Sequence, residues 1–195
     1  MSPFATQVAP ALPRRPLPAW LRDAERVDVG VYAAITQTPT PSLDQAMRLL
    51  TQAADYWRLW LGSAAILALT RGARGRRAAV TGLASVAVSS AVANLVLKRL
   101  VGRRRPGTSD VPAARHAVMP PSTSFPSAHS ATAFAFATGV GSVLPCEAIP
   151  IRALAAAVAY SRVHTGVHYP ADVIAGAFLG TALAQATARA LGHRS

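Results

Sequence analysis

Apolar residues fall into blocks along this chain, separated by short polar islands, and the spacing inside the blocks is helical. After Thr40, Pro41 suits a first helical position and Ser42 with Gln45 resembles a capping box. Leu43, Ala46, Met47, Leu50 and Ala54 then recur at helical intervals, with Asp44, Arg48, Gln52 and Asp55 on other faces. This predicts an amphipathic helix, lying in a membrane interface or packed on a protein core, and residues 28–55 are assigned to an interfacial segment. Trp57 and Trp60 open an apolar stretch that reaches Thr70 and closes on a basic loop, Arg71 to Arg77. Only 12 residues separate Arg58 from Arg71, fewer than the roughly 20 of a spanning helix. Snorkelling arginines and interfacial tryptophans would have to extend that span.

Ala78 to Leu97 is uncharged for 20 residues, ends at Lys98, and carries Gly82, Ser85, Ser89 and Ser90 for close helix packing. Pro126–Pro145, Pro150–Val163 and Pro170–Leu191 are three further apolar helical blocks. None of the blocks alternates with the period of a strand. The expected fold is therefore all-α: an integral membrane helical bundle of about five transmembrane helices, preceded by the interfacial amphipathic helix. Residues 1–27, rich in proline and arginine, read as a flexible basic tail, and residues 56–195 as the membrane domain.

Composition agrees with lipid surroundings. Hydrophobic residues make up 51% and charged residues 14%, against about 25% charged in ordinary soluble domains; mean hydropathy is +0.29. A net charge of +12 would suit nucleic acid or anionic lipid, but the charges punctuate hydrophobic runs instead of forming a basic face with interleaved aromatics. No nucleic-acid partner is expected. The single Cys146 excludes an internal disulfide framework. Counting spans puts the loop after Leu97, the segment at Arg162 and the helix starts at Pro126 and Pro170 on one membrane face. The four arginines of residues 71–77 fall on the other, with Arg189 and Arg194, which marks that face as cytoplasmic. A bacterial cell membrane with the polar islands facing outward follows, although five spans would leave the arginine-bearing N-terminus outside as well.

The islands carry the chemistry. The first spells K-R-L-V-G-R-R-R-P from Lys98, the only lysine among 20 cationic side chains, and ends at Arg105-Pro106. The second is Pro126-Ser127-Ala128-His129, and the third runs from Ser161-Arg162 to His168 and Asp172. A phosphoryl group in transfer spreads its charge over three oxygens. Without a metal, Lys98, Arg105 and Arg162 would supply the countercharge, the arginines through bidentate hydrogen bonds. Ser127 adds a hydroxyl. Pro126 and Pro170 suit first-turn positions, which places His129 and His168 near helix starts where exposed N–H groups favour an anion. His168 and Asp172 are four apart, so the carboxylate can orient the ring. His168 is accordingly the better nucleophile, forming a phosphohistidine. His129 has no carboxylate at similar spacing and fits the general acid, later the base. Arg99, Arg103 and Arg104 read as a solvated, head-group-facing set. His164, His168 and Asp172 also imitate a two-histidine, one-carboxylate metal site, but Pro170 interrupts the helix and three cations would repel the ion. No metal or other cofactor is expected.

These islands resemble the three signature motifs of the type 2 phosphatidic acid phosphatase family, relatives of the vanadium haloperoxidases. A lysine, six residues and Arg-Pro are matched by Lys98 with Arg105-Pro106. The second motif is usually Pro-Ser-Gly-His and here has Ala128 in the glycine place. Ser-Arg, five residues, His, three residues and Asp are matched by Ser161-Arg162, His168 and Asp172. Alanine keeps the N–H donor, so at most a local adjustment is expected there. The resemblance covers residues 98–172 and implies the same catalytic roles for His168, His129 and Asp172. It also implies phosphate binding by Lys98, Arg105, Ser127, Ala128 and Arg162. A membrane lipid phosphatase is implied, hydrolysing a phosphomonoester or pyrophosphate of a polyprenyl-linked or phosphatidate-like lipid, with membrane lipids as its other partners. Arg and Ala richness suggests a high-GC bacterium and so favours a decaprenyl-linked substrate such as a decaprenylphosphoryl phosphoribose. Two alternatives stay open: a phosphotransferase of the same fold, and a non-catalytic protein that binds lipid head groups. The oligomeric state is not legible.

Overall fold

The computed structural model describes residues 18–107 and 111–192, and every regular element among them is helical. Two N-terminal helices, α1 (Ala19–Gln37) and α2 (Pro41–Ala53), lead into a 3-10 turn at Asp55–Trp57. Then come α3 (Arg58–Thr70) and α4 (Gly72–Ala91), which continues through a π-helical segment (Val92–Leu97) into α5 (Lys98–Val101). After the loop holding the short 3-10 turn Ala113–Arg115 come α6 (Ala128–Gly141), α7 (Ala148–His164) and α8 (Pro170–Ala190).

Helix α6 is the axis of the bundle and packs against α4, α7 and α8. Ala131, Ala133, Ala135, Phe136, Ala137 and Val140 on it are fully buried, and the Phe136 ring lies 5.4 Å from that of Trp60 on α3. Small residues let the backbones touch. A Cβ on Gly180 of α8 would sit 2.0 Å from the Ala131 carbonyl oxygen, a separation only glycine permits. Outside, the bundle turns apolar side chains outward: Leu69 is 85% and Phe178 74% exposed. Such a coat suits acyl chains rather than water. The continuous helix Gly72–Val101 and α8 are long and apolar enough to cross a membrane.

Several boundaries differ from the sequence reading. Helix α1 already starts at Ala19, inside the expected tail of residues 1–27; residues 1–17 lie outside the described residues. Its inward stripe is Asp28, Tyr32 and Thr36, a polar set that gives no hydrophobic period. In α2 the buried residues are likewise Asp44 and Thr51, so Asp44, assigned to a face away from the apolar stripe, points at the protein. The basic stretch after Arg71 is not a loop. The chain turns at Gly72 (φ +58) and α4 begins there, with Arg74, Arg76 and Arg77 in its first turns. A charge run was misleading because arginine is a good helix former. Arg194 also lies outside the described residues.

Candidate active site

The helix ends deliver the three islands to one end of the bundle. Lys98 opens α5, Arg105 follows on the loop, His129 is the second residue of α6, Arg162 lies in the last turn of α7, and His168 and Asp172 flank the start of α8. Lys98, Arg105, Ala128, His129 and His168 line one cavity of about 420 Å³, together with Asp55, Tyr56 and Trp57. At the opposite end Arg71 pairs with Glu147 at 3.3 Å and Arg74 donates to the Val143 carbonyl at 3.2 Å.

Hydrogen bonds define the state of His168. Arg105 donates through Nη1 to the Val167 carbonyl (2.9 Å) and to His168 Nε2 (3.0 Å), and through Nε to the Ser122 carbonyl (2.8 Å). A guanidinium can only donate, so Nε2 presents its lone pair and Nδ1 carries the proton. Nδ1 faces Asp172 Oδ2 at 3.5 Å and Ser124 Oγ at 3.4 Å. Burial pushes His168 down to about 3; the Asp172 contact opposes this, and Arg162 and Arg105 reinforce it. The ring is therefore neutral across the ordinary pH range. Asp172 itself is fully engaged. Its Oδ2 accepts from the Ser124 hydroxyl and the Tyr169 N–H (3.0 Å), and its Oδ1 from Arg103 (2.8 Å).

Arg103 thus departs from the solvated role expected for it, while Arg99 and Arg104 are exposed. Arg103 also donates to Asp28 Oδ2 at 2.6 Å, and its guanidinium lies 4.3 Å from the centre of the Tyr169 ring. Asp28 in turn accepts from the Ala171 N–H at 2.7 Å, so α1 holds the start of α8. Partial burial works against the charge of Arg103, but the two carboxylates that flank it raise its pKa above the ordinary arginine value.

His129 has the carboxylate that its sequence neighbours did not offer. Its Nε2 lies 2.8 Å from Asp55 Oδ1, across 74 residues. This hydrogen bond holds the Asp55 carboxyl below its usual range. Tyr56 and Trp57, just after Asp55, both adopt left-handed backbone (φ 54 and 62). That conformation costs on the order of 1–3 kcal/mol per non-glycine residue and clusters at functional sites.

The remaining residues divide. Arg162 is 2% exposed and donates through Nη1 to Thr51 Oγ1 at 2.5 Å, while its Nε has no partner. Lys98 Nζ donates to Ser122 Oγ at 3.1 Å, and Arg105 Nη2 reaches the same hydroxyl at 3.2 Å. Ser127 is fully buried as the N-cap of α6, accepting from the Ser130 N–H (3.4 Å) and hydroxyl (3.0 Å). It is Ser122 that presents a hydroxyl beside the two cations. Ala128 opens α6 with no positive φ, so the methyl in the glycine place needs no adjustment. His164 bonds Asp44 at 3.0 Å, beside Arg115 at 2.8 Å. The apparent His164–His168–Asp172 set therefore does not converge, and no group of three metal-ligating side chains is found among the described residues.

Lys98 and Arg105 thus line the cavity beside His129 and a neutral His168, while the buried Arg162 is not among its lining residues and bears on Lys98 through its charge. A sequence profile of the PAP2 superfamily matches residues 78–195. The chain belongs to the PAP2 superfamily. It is 38% identical over 162 residues to the decaprenylphosphoryl-5-phosphoribose phosphatase of Mycobacterium tuberculosis (strain H37Rv), spanning 80% of this chain and 86% of that one. The lipid A 1-phosphatase of Rhizobium etli is 39% identical over 103 residues, 49% of this chain and 43% of its own length. The fold is similar to the crystal structure of the transmembrane PAP2 type phosphatidylglycerolphosphate phosphatase of Bacillus subtilis, with TM-score 0.67 and 23% identity over 89% of this chain and 88% of that one. The chain is thus a phosphoric ester hydrolase, a membrane phosphatase of lipid metabolism.

In this PAP2 phosphatase, sequence reasoning missed Ser122, Ser124, Arg103, Asp28 and Asp55. One signal was available. The chain has only eight acidic residues against 20 basic ones, and three of them, Asp28, Asp55 and Asp172, converge on the site. Scarce carboxylates in an arginine-rich membrane chain mark places where a cation or imidazole must be held.

Proposed function

We propose that this PAP2 phosphatase removes a terminal phosphate from a polyprenyl-linked phosphosugar lipid through a phosphohistidine on His168. One observation carries the mechanism: the lone pair of His168 Nε2 is turned to the cationic cavity while Nδ1–H faces Asp172 and Ser124. Lys98, Arg105 and Arg162 neutralise the phosphate oxygens, with the backbone N–H groups at the start of α6 around Ala128. Phosphate entry shifts the Arg105 guanidinium from the ring nitrogen onto phosphate oxygen. Nε2 then forms a bond to phosphorus as the bond to the leaving oxygen breaks, and His129 gives that oxygen a proton. Water next loses a proton to His129 and attacks phosphorus; the N–P electron pair returns to Nε2 and inorganic phosphate leaves. Asp172 holds the ring and stabilises the positive charge it acquires.

The substrate class rests on the Mycobacterium tuberculosis relative, whose name specifies a decaprenylphosphoryl phosphosugar and most of whose length this chain spans. A site at the bundle end opposite the arginine-rich turn supports an extracytoplasmic active site. Phosphate release by the full chain in detergent, over a panel of polyprenyl phosphosugars, polyprenyl phosphates and phosphatidate, tests the reading. The phosphosugar lipid should turn over fastest, and His168→Ala should lose at least roughly 1,000-fold. Near-wild-type turnover by that variant would refute the mechanism, and a preference for phosphatidate would refute the substrate class.

A further inference from the structure

The acid that protonates the leaving group sits in an awkward place. His129 shares its cavity with Lys98, Arg105 and neutral His168, and burial, ahead of the charges of Arg162 and Lys98, weighs against a proton on its ring. Cations around an imidazole disfavour its protonated form, yet the proposed first step needs a proton on it. Asp55 is placed to oppose this. Its Oδ1 lies 2.8 Å from Nε2 of His129, and among the described residues no other side chain bonds it. The Asp55 carboxylate thus has His129 as its one side-chain hydrogen-bond partner among the described residues, although the charges of Arg162 and Arg58 also act on it, whereas Asp172 is shared by Arg103, Ser124 and a backbone N–H. The chain also holds Asp55 there with two consecutive left-handed residues, Tyr56 and Trp57, and all three line the cavity.

We propose that Asp55 is the positioning residue of the proton donor: it fixes the ring of His129 through Nε2–H and balances its positive charge, leaving Nδ1–H to protonate the departing oxygen. This rests on the phosphohistidine reading above. In the step, the P–O electron pair goes to the leaving oxygen, the Nδ1 proton follows it, and the neutral ring keeps its Nε2–H on Asp55. Arg58 also faces Asp55 but bonds no atom of His129 among the described residues.

A leaving group that needs no proton separates this role from a purely structural one. The probes are dodecyl phosphate, whose alkoxide must be protonated, and p-nitrophenyl phosphate, whose phenolate leaves unaided. Each is measured as kcat/KM on the full chain in detergent, a quantity that ends at phosphoryl transfer to His168. Asp55→Asn should lose roughly 100-fold on dodecyl phosphate and stay within about threefold on p-nitrophenyl phosphate. Asp55→Glu should recover part of the loss, and Asp55→Asn should add little to His129→Ala. Equal losses on both probes would reduce Asp55 to a structural prop, and no loss on either would remove it altogether. If His129→Ala loses activity on dodecyl phosphate but not on p-nitrophenyl phosphate while Asp55→Asn shows no such split, only the Asp55 assignment falls. Wild-type protein that turns over neither probe would overturn the phosphatase reading itself.

Discussion

His168 and His129 each sit beside an aspartate at one cavity, yet the two carboxylates are held in opposite ways. Asp172 is fully buried and spends both oxygens on other donors, so at 3.5 Å it orients the His168 ring without drawing a second proton onto it. Asp55 has a side chain 32% exposed, a direct 2.8 Å contact and no competing side chain among the described residues. Two identical residue pairs can therefore be set to different tasks by how far each carboxylate is shared. The nucleophile needs a lone pair at rest; the acid needs a proton at rest. The contrast also appears in their origins. Asp172 comes from the same island as its histidine, while Asp55 reaches across the bundle from the segment between α2 and α3.

The largest break in this contrast should come from the buried pair. Asp172→Asn removes the acceptor that fixes Nδ1–H, and turnover should fall by roughly 10⁴-fold. Because attack on phosphorus is what fails, the loss should be equal for alkyl and aryl esters, unlike that of Asp55→Asn. A leaving-group-dependent loss in Asp172→Asn would show that the two pairs do the same job. Arg103→Ala should come next. It leaves Asp28 and Asp172 buried without their shared cation, and stability should drop by about 3 kcal/mol. Turnover should fall with it, as read by thermal unfolding in detergent and by phosphate release. Asp55→Asn should leave the unfolding midpoint nearly unchanged. An unfolding midpoint of Arg103→Ala equal to wild type would mean that the Asp28–Arg103–Asp172 chain does not brace the nucleophile.

The parts of this arrangement that sequence made legible are the parts encoded locally. Lys98, Arg105, His129 and His168 stand out because polar islands of fixed spacing interrupt apolar helices, and all four line the cavity. Long apolar runs likewise announced the Ala78–Leu97 helix and α8. What escaped depends on tertiary approach. Arg103 looks like one of three equivalent arginines until Asp28, 75 residues away, is brought beside it. Asp55 looks like the outward edge of an amphipathic helix until the backbone turns left-handed at Tyr56 and returns it to His129. Ser127 was placed by its motif but not by its direction. Its hydroxyl closes the first turn of α6, and Ser122, outside any motif, presents a hydroxyl to Lys98 and Arg105 instead.

The covalent intermediate is the most direct point of attack. Full-length protein would be mixed with ³²P-labelled lipid phosphate, quenched in alkali within one turnover, and separated from free phosphate. Label should remain on the wild-type protein, be released by mild acid as phosphohistidine requires, and be absent from His168→Ala. Label that survives in His168→Ala, or that is stable to acid, would contradict a phosphorylated His168.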